Sequence, residues 1–108
     1  MTGEEKRKLR DQLIGSGFWS SDDARHPSTD PSAGVVLLES MKNLLAPDAK
    51  LSYTVTLDSR QMTEVFINRD EKKFLLAKDS DLYVAICLAA IELTGFLKQF
   101  PEFAAEVV

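Results

Sequence analysis

Between Asp79 and Gly95 apolar residues recur at Leu82, Ile86, Ala89, Leu93 and then Phe96 or Leu97, steps of three and four that line up along one helical face. Val84, Cys87, Leu88 and Ile91 broaden that stripe, and Glu92 is the only charge between Asp81 and Lys98. The pattern predicts a helix over 81–94, covered on more than one side, capped by Asp79 or Ser80 and ended by Gly95.

Two further helical stretches precede it. Residues 4–14 place Glu4 and Glu5 in a first turn, where the helix dipole favours them, and then Lys6, Arg7, Lys8 and Arg10. Only Leu9, Leu13 and Ile14 are large and apolar there, so this helix is expected at the surface, ending at Gly15-Ser16-Gly17. Asp30 as cap and Pro31 at the first helical position open a helix over 31–45, apolar at Val35, Leu38, Met41 and Leu45 and stopped by Pro47-Asp48. The period then falls to two. Leu51, Tyr53, Val55 and Leu57 alternate with Ser52, Thr54 and Thr56, Asp58 to Gln61 turn the chain, and Met62–Asn68 and Lys72–Lys78 follow across a second turn at Arg69-Asp70-Glu71. The result is an α+β chain with a three-stranded antiparallel meander. The mixed faces of 62–67 and 74–77 predict a sheet covered on both sides, at least in part. The tail, 96–108, is apolar at Phe96, Leu97, Phe100, Phe103, Val107 and Val108 and is interrupted by Pro101. It is expected to fold back or to serve a subunit contact.

Composition narrows the function classes. With 108 residues the chain is a single small domain, near the size at which buried area only just offsets chain entropy, so a homodimer that completes the core is an expectation. Thirteen Lys+Arg against 17 Asp+Glu, a net charge of −4, leave no cationic excess for broad nucleic-acid binding. The single Cys87 lies within the apolar helix and excludes a disulfide framework, which fits a reducing compartment. A charged N-terminus and the lack of an apolar run near 20 residues point to a cytoplasmic protein with no membrane segment.

The chemistry searched for is sparse. One His and one Cys cannot build a Cys/His zinc site, and no phosphate loop, GxGxxG or GxSxG motif occurs. His26 with Ser21, Ser28 and an acid from Asp22, Asp23 or Asp30 would make a hydrolytic triad on paper, though geometry and not residue type defines a triad, and Asp22-Asp23 with Asp30 would offer oxygen ligands to a cation at a spacing that matches no calcium loop. The stretch 18–30 is long for a connector and opens on Phe18-Trp19, aromatics that either pin the loop or stack on a ligand. Candidate binding residues are therefore Trp19, Arg25, His26, Ser28 and Asp30, with Arg60, Arg69 and the 6–10 cluster as further anion partners.

Pro27-Ser28-Thr29-Asp30 ahead of an apolar helix, with Asp81-Leu82-Tyr83-Val84-Ala85-Ile86-Cys87-Leu88-Ala89-Ala90-Ile91-Glu92-Leu93-Thr94-Gly95 after a meander, resembles the phage ABA-sandwich domain family. That family shows a Tyr-Ser-Thr-Asp-like segment leading into a helix, then strands, then an Ala-Ile-Cys-Leu-Ala-Ala-like helix closing on Gly. Here His26-Pro27 stands where the family often has Tyr, and the resemblance runs from Ile14 to Gly95. It implies a three-layer α/β/α sandwich and a phage or prophage source, and it carries over no catalytic residue. The leading expectation is a non-enzymatic phage or prophage accessory protein, needing no metal or cofactor, that binds a host or phage component through the 18–30 loop in the host cell cytoplasm. One alternative is an anti-defence sponge that sequesters a nucleotide second messenger at a subunit interface. Another is a structural or assembly protein.

Overall fold

Asp30 and Asp81 start the two apolar helices in the same way. Each holds an extended backbone, and its carboxylate accepts from backbone N–H groups two and three residues ahead: Tyr83 at 2.9 Å and Val84 at 3.1 Å for Asp81, Ser32 at 3.0 Å and Ala33 at 3.4 Å for Asp30. Such a cap contributes about 1 kcal/mol. The expected Asp79 or Ser80 cap is thus displaced to Asp81, and the Asp79 carboxylate instead accepts from the Asp81 N–H at 2.9 Å.

The computed structural model describes residues 3–57 and 60–105. Its elements are α1 (Gly3–Gly15), α2 (Pro31–Lys42), β1 (Ala49–Leu57), β2 (Gln61–Arg69), β3 (Lys72–Asp79), α3 (Leu82–Gln99) and a short 3-10 turn (Pro101–Phe103). Asp58 and Ser59 of the expected first turn, and Val107 and Val108 of the tail, lie outside the described residues.

The sheet is an antiparallel meander in the order β1-β2-β3. Register puts Leu51, Tyr53, Val55 and Leu57 on the same face as Thr63, Val65, Ile67, Phe74 and Ala77, because directly opposed residues point the same way. α3 lies on that inner face against β2 and β3, while α1 and α2 pack on α3. The α+β class, the three helices and the meander are as the periodicity predicts. The outer face is covered only in part. On the outer face Ser52, Thr54, Thr56, Met62, Glu64, Phe66, Asn68, Lys73 and Leu75 are all at least partly exposed, and Phe66 is roofed by the Lys73 ammonium, 4.0 Å from its ring centre.

Two helix ends differ from expectation. α3 does not stop at Gly95; the apolar period continues through Phe96 and Leu97, and the helix ends at Gln99 with Phe100 as cap. α2 ends at Lys42 and not at Leu45, because the tail supplies another partner: Ala46 N–H donates to Phe103 O at 2.8 Å, Ala105 N–H donates to Leu44 O at 2.8 Å, and Leu45 pairs with Ala104. Four phenylalanines hold that tail down. Phe74 of β3 meets Phe96, Phe100 and Phe103, with all ring centres 4.9–6.2 Å apart, a spacing that favours tilted and edge contacts.

By length and a mean hydropathy of 1.4 alone, α3 would suffice to cross a bilayer. Its surroundings are those of a core helix. Val84, Ala85, Ile86, Cys87, Ala89, Ala90 and Leu93 are buried between the sheet and the other two helices, and burial pushes the Cys87 thiol up to about 12.

α2 comes close to α3 at Gly34, where an added methyl would sit 2.7 Å from Tyr83 Cδ1 and 3.1 Å from Cε1. Alanine gains about 1 kcal/mol of helix propensity over glycine, but overpacking costs about 1–3 kcal/mol. Gly34→Ala is therefore expected to lower the thermal midpoint by several degrees, and the same change in a Tyr83→Ala background to be neutral or stabilising. Equal effects in both backgrounds, read by thermal denaturation, would show that the contact with Tyr83 is not what limits this crossing.

Candidate functional site

The loop after α1 is a closed network. Gly17 turns the chain at φ +85, and the N–H groups of Phe18 and Trp19 both donate to Leu13 O, at 2.9 and 3.2 Å. That reversal folds both rings back into the core, so Trp19 is a buried anchor and not a stacking surface. From α1 the Arg10 guanidinium donates to Asp23 O at 2.7 Å, Arg25 O at 3.2 Å and Ser21 O at 3.4 Å. Arg25 grips the Asp23 carboxylate with two nitrogens, at 3.0 and 2.7 Å, lies 5.5 Å from the Trp19 ring centre, and reaches Ser32 Oγ at 3.2 Å. Ser32 in turn donates to Asp30 at 2.6 Å. The hydrogen bonds from Arg25 hold the Asp23 carboxyl at about 2, below its usual 3.8, and the Ser32 hydroxyl lowers that of Asp30.

The candidate residues do not converge. Trp19, Arg25 and Asp30 belong to this network, and Ser28 is buried beneath it. His26 lines a shallow hollow of about 180 Å³ with Gly3, Lys6, Arg7 and Thr29. Arg60 is exposed just ahead of β2, whereas Arg69 ends that strand, roughly 30 Å further along at strand rise, paired with Asp48 at 2.9 Å and stacked over Phe103. Arg69 and Asp48 border an open hollow of about 630 Å³ with Pro101 and Glu102. Among the described residues no side-chain hydrogen bond joins the His26 imidazole to Ser21, Ser28 or an aspartate, the Asp30 N–H meeting only the His26 backbone O at 2.9 Å, and no group of three or more His, Cys, Asp or Glu gathers to hold a metal. Arg10 and Arg25 spend their donors on the protein's own oxygens and Arg69 gives its Nε–H to Asp48, whereas Arg7, Lys8 and Arg60 of the proposed anion partners are exposed.

The surface that the sequence did not single out lies between α2 and β1. Tyr53 is 51%, Val55 41% and Leu57 76% exposed, although register places them on the apolar inner face. On α2, Val35, Leu38 and Lys42 fall three and four residues apart and so share the flank that looks toward β1. Val35 is 58% exposed, and Leu38 and Lys42 wall a hollow of about 130 Å³ whose other sides are Leu51, Ser52, Tyr53 and Val65. The free edge of β1 runs beside it. The signal was present in part: alternation marked the apolar face, but only a count of what can cover it would have shown that its far half is open.

Comparison with protein-family models, with curated proteins and with solved structures finds no match to this chain. Nothing in those comparisons identifies the phage ABA-sandwich family, and the site is read from its own residues.

The loop network has a pH signature. Because the folded-state pKa of Asp23 is depressed, its contribution is present above about 3.8 and is lost as pH falls toward 2. Trp19 is the single tryptophan and lies against Arg25, so its emission is expected to shift to the red over that acid range. Asp23→Asn should show part of the shift already at neutral pH and a flattened acid titration. An unchanged titration in that variant would remove Asp23 as its source.

Proposed function

We propose that this is a non-enzymatic binding protein whose working surface is β1 with the facing flank of α2, and that its partner is another polypeptide. Consistent with the phage or prophage resemblance, that partner would be a host or phage component met by an accessory protein. One observation carries the reading: three consecutive inward positions of β1, Tyr53, Val55 and Leu57, stand in water on the face that β2 and β3 bury. An apolar patch beside an unpaired strand is the composition of surfaces that accept an added strand, main-chain bonds giving affinity and alternate side chains giving selectivity.

The nucleotide-sponge reading has weaker support, since Arg10, Arg25 and Arg69 are already hydrogen-bonded within the chain. The finer description as a three-layer α/β/α sandwich also belongs to this proposal. It needs helical cover over Phe66 and Leu75 on the outer face, whereas the chain's own α1 and α2 gather on α3.

A photo-crosslinker separates the surfaces. With p-benzoylphenylalanine in place of Val55, irradiation in the expressing cell should give discrete polypeptide adducts. The same group in place of Lys73, on the outer face of β3, should give none or different ones. Identical adduct patterns from the two positions, or none from Val55, would count against β1 as the working surface.

A further inference from the structure

We infer that the polypeptide β1 accepts is a second copy of this chain, the two β1 strands pairing antiparallel about a two-fold axis to make one six-stranded sheet. This rests on the reading of β1 as the binding surface and names its occupant.

The two edges of the sheet are built differently. β3 carries a bulge where Leu76 is the extra residue opposite the Val65–Phe66 step, and it bears Lys72, Lys73 and Lys78. Bulges and lysines are the devices by which edge strands are kept from pairing with one another. β1 has no bulge and one lysine against three: its register with β2 is unbroken from Ala49 to Leu57, and Lys50, near its start, is its only charge. One edge is guarded and the other is open.

β1 is also self-complementary. A two-fold axis normal to the sheet pairs each residue with one of the same parity, so both inner faces continue on the same side. The register with the fullest overlap centres on Tyr53. It sets Tyr53 against its own copy, Leu51 against Val55, Ala49 against Leu57, Ser52 against Thr54 and Lys50 against Thr56. No like charges face each other in that arrangement. Apolar residues meet apolar ones on the inner side, and hydroxyls meet hydroxyls on the outer side.

The area available sets the strength. The exposed parts of Tyr53, Val55, Leu57 and Val35 amount to roughly 400 Å² per copy. The total for a pair lies near or below about 1,200 Å², the lower bound of stable interfaces. A weak dimer in exchange with monomer follows.

Sedimentation velocity over a range of concentrations tests this. The weight-average mass of the wild-type chain should rise from 12.0 kDa toward twice that value. Tyr53→Lys and Tyr53→Glu, changes at a half-exposed position, should each stay monomeric at concentrations where the wild type dimerises, at least tenfold weaker in association. An equimolar mixture of the two should associate at least tenfold more tightly than either alone, and Lys72→Gln at the other edge should behave as wild type. Cooperative thermal unfolding of each variant checks that it has folded. A wild-type chain that stays monomeric throughout, a dimer indifferent to Tyr53→Lys, or a charge-swapped mixture that fails to associate would each overturn the inference. If the wild type is monomeric and Val55 crosslinks to a chain of different mass, self-pairing falls while β1 stands as a binding surface.

Discussion

Burial of α3 is the constraint from which the remaining architecture follows. The helix has seven fully buried residues, and it is the one element that touches β2, β3, α1, α2 and the terminal 3-10 turn. Its small residues Ala85, Ala89 and Ala90 are all buried, which lets neighbouring elements approach the backbone. A helix with its side chains is about 10 Å wide and strands are spaced about 4.8 Å apart, so one helix covers about two strands. α3 sits over β2 and β3. The face of β1 beyond Leu51 is left without a roof, for reasons of width and not of composition.

α2 is the neighbour that could supply that roof, but its own geometry directs it elsewhere. Ala33, Gly34, Leu37 and Met41 form its buried face, and the absent side chain at Gly34 brings it against the Tyr83 ring on α3. With that face committed to α3, only the flank bearing Val35, Leu38 and Lys42 remains for β1, and it closes over Leu51 while leaving Tyr53 and Val55 half open. The same economy of contacts governs the loop after α1. Arg10 is a part of that loop's structure, its guanidinium standing in for the backbone partners that residues 21–25 lack, and Arg25 neutralises Asp23 beside the buried Trp19. One member of a cluster that looks cationic in sequence is thus internal, while Arg7 and Lys8 stay exposed.

How far the chain could be read in advance depended on the range of the interaction concerned. Periodicities of 3.6 and 2 located all three helices and all three strands, since each reflects contacts within one element or with its immediate neighbour. Ends decided by distant partners were misread. Leu44 and Leu45 leave the helix because Phe103, Ala104 and Ala105 bond to that segment, and Gly95 stays helical because the phenylalanine cluster holds the residues after it. The loop residues Trp19, Arg25, His26, Ser28 and Asp30 had the right chemistry for a ligand, but side chain to carbonyl bonds from Arg10 leave no trace in the local pattern. Tyr53, Val55 and Leu57 were legible as an apolar face and illegible as an exposed one, because alternation reports which side of a strand is apolar and not whether anything lies on it.

An uncovered half-face need not be a defect left by a short chain. If its exposure were merely tolerated, the protections against edge pairing would be expected on β1, where the apolar stripe makes them most needed; apart from Lys50 they are concentrated on β3, with its bulge and three lysines, over which α3 already lies. The polar side of β1 argues in the same direction: Ser52, Thr54 and Thr56 are uncharged, β-prone and able to sit beside another strand, where a lysine or glutamate at any of them would have kept the edge soluble and alone. The placement of charge on the two edges therefore separates a strand that is kept apart from one left free to pair, and it does so within a sheet whose every other apolar residue on the inner face is at least partly covered.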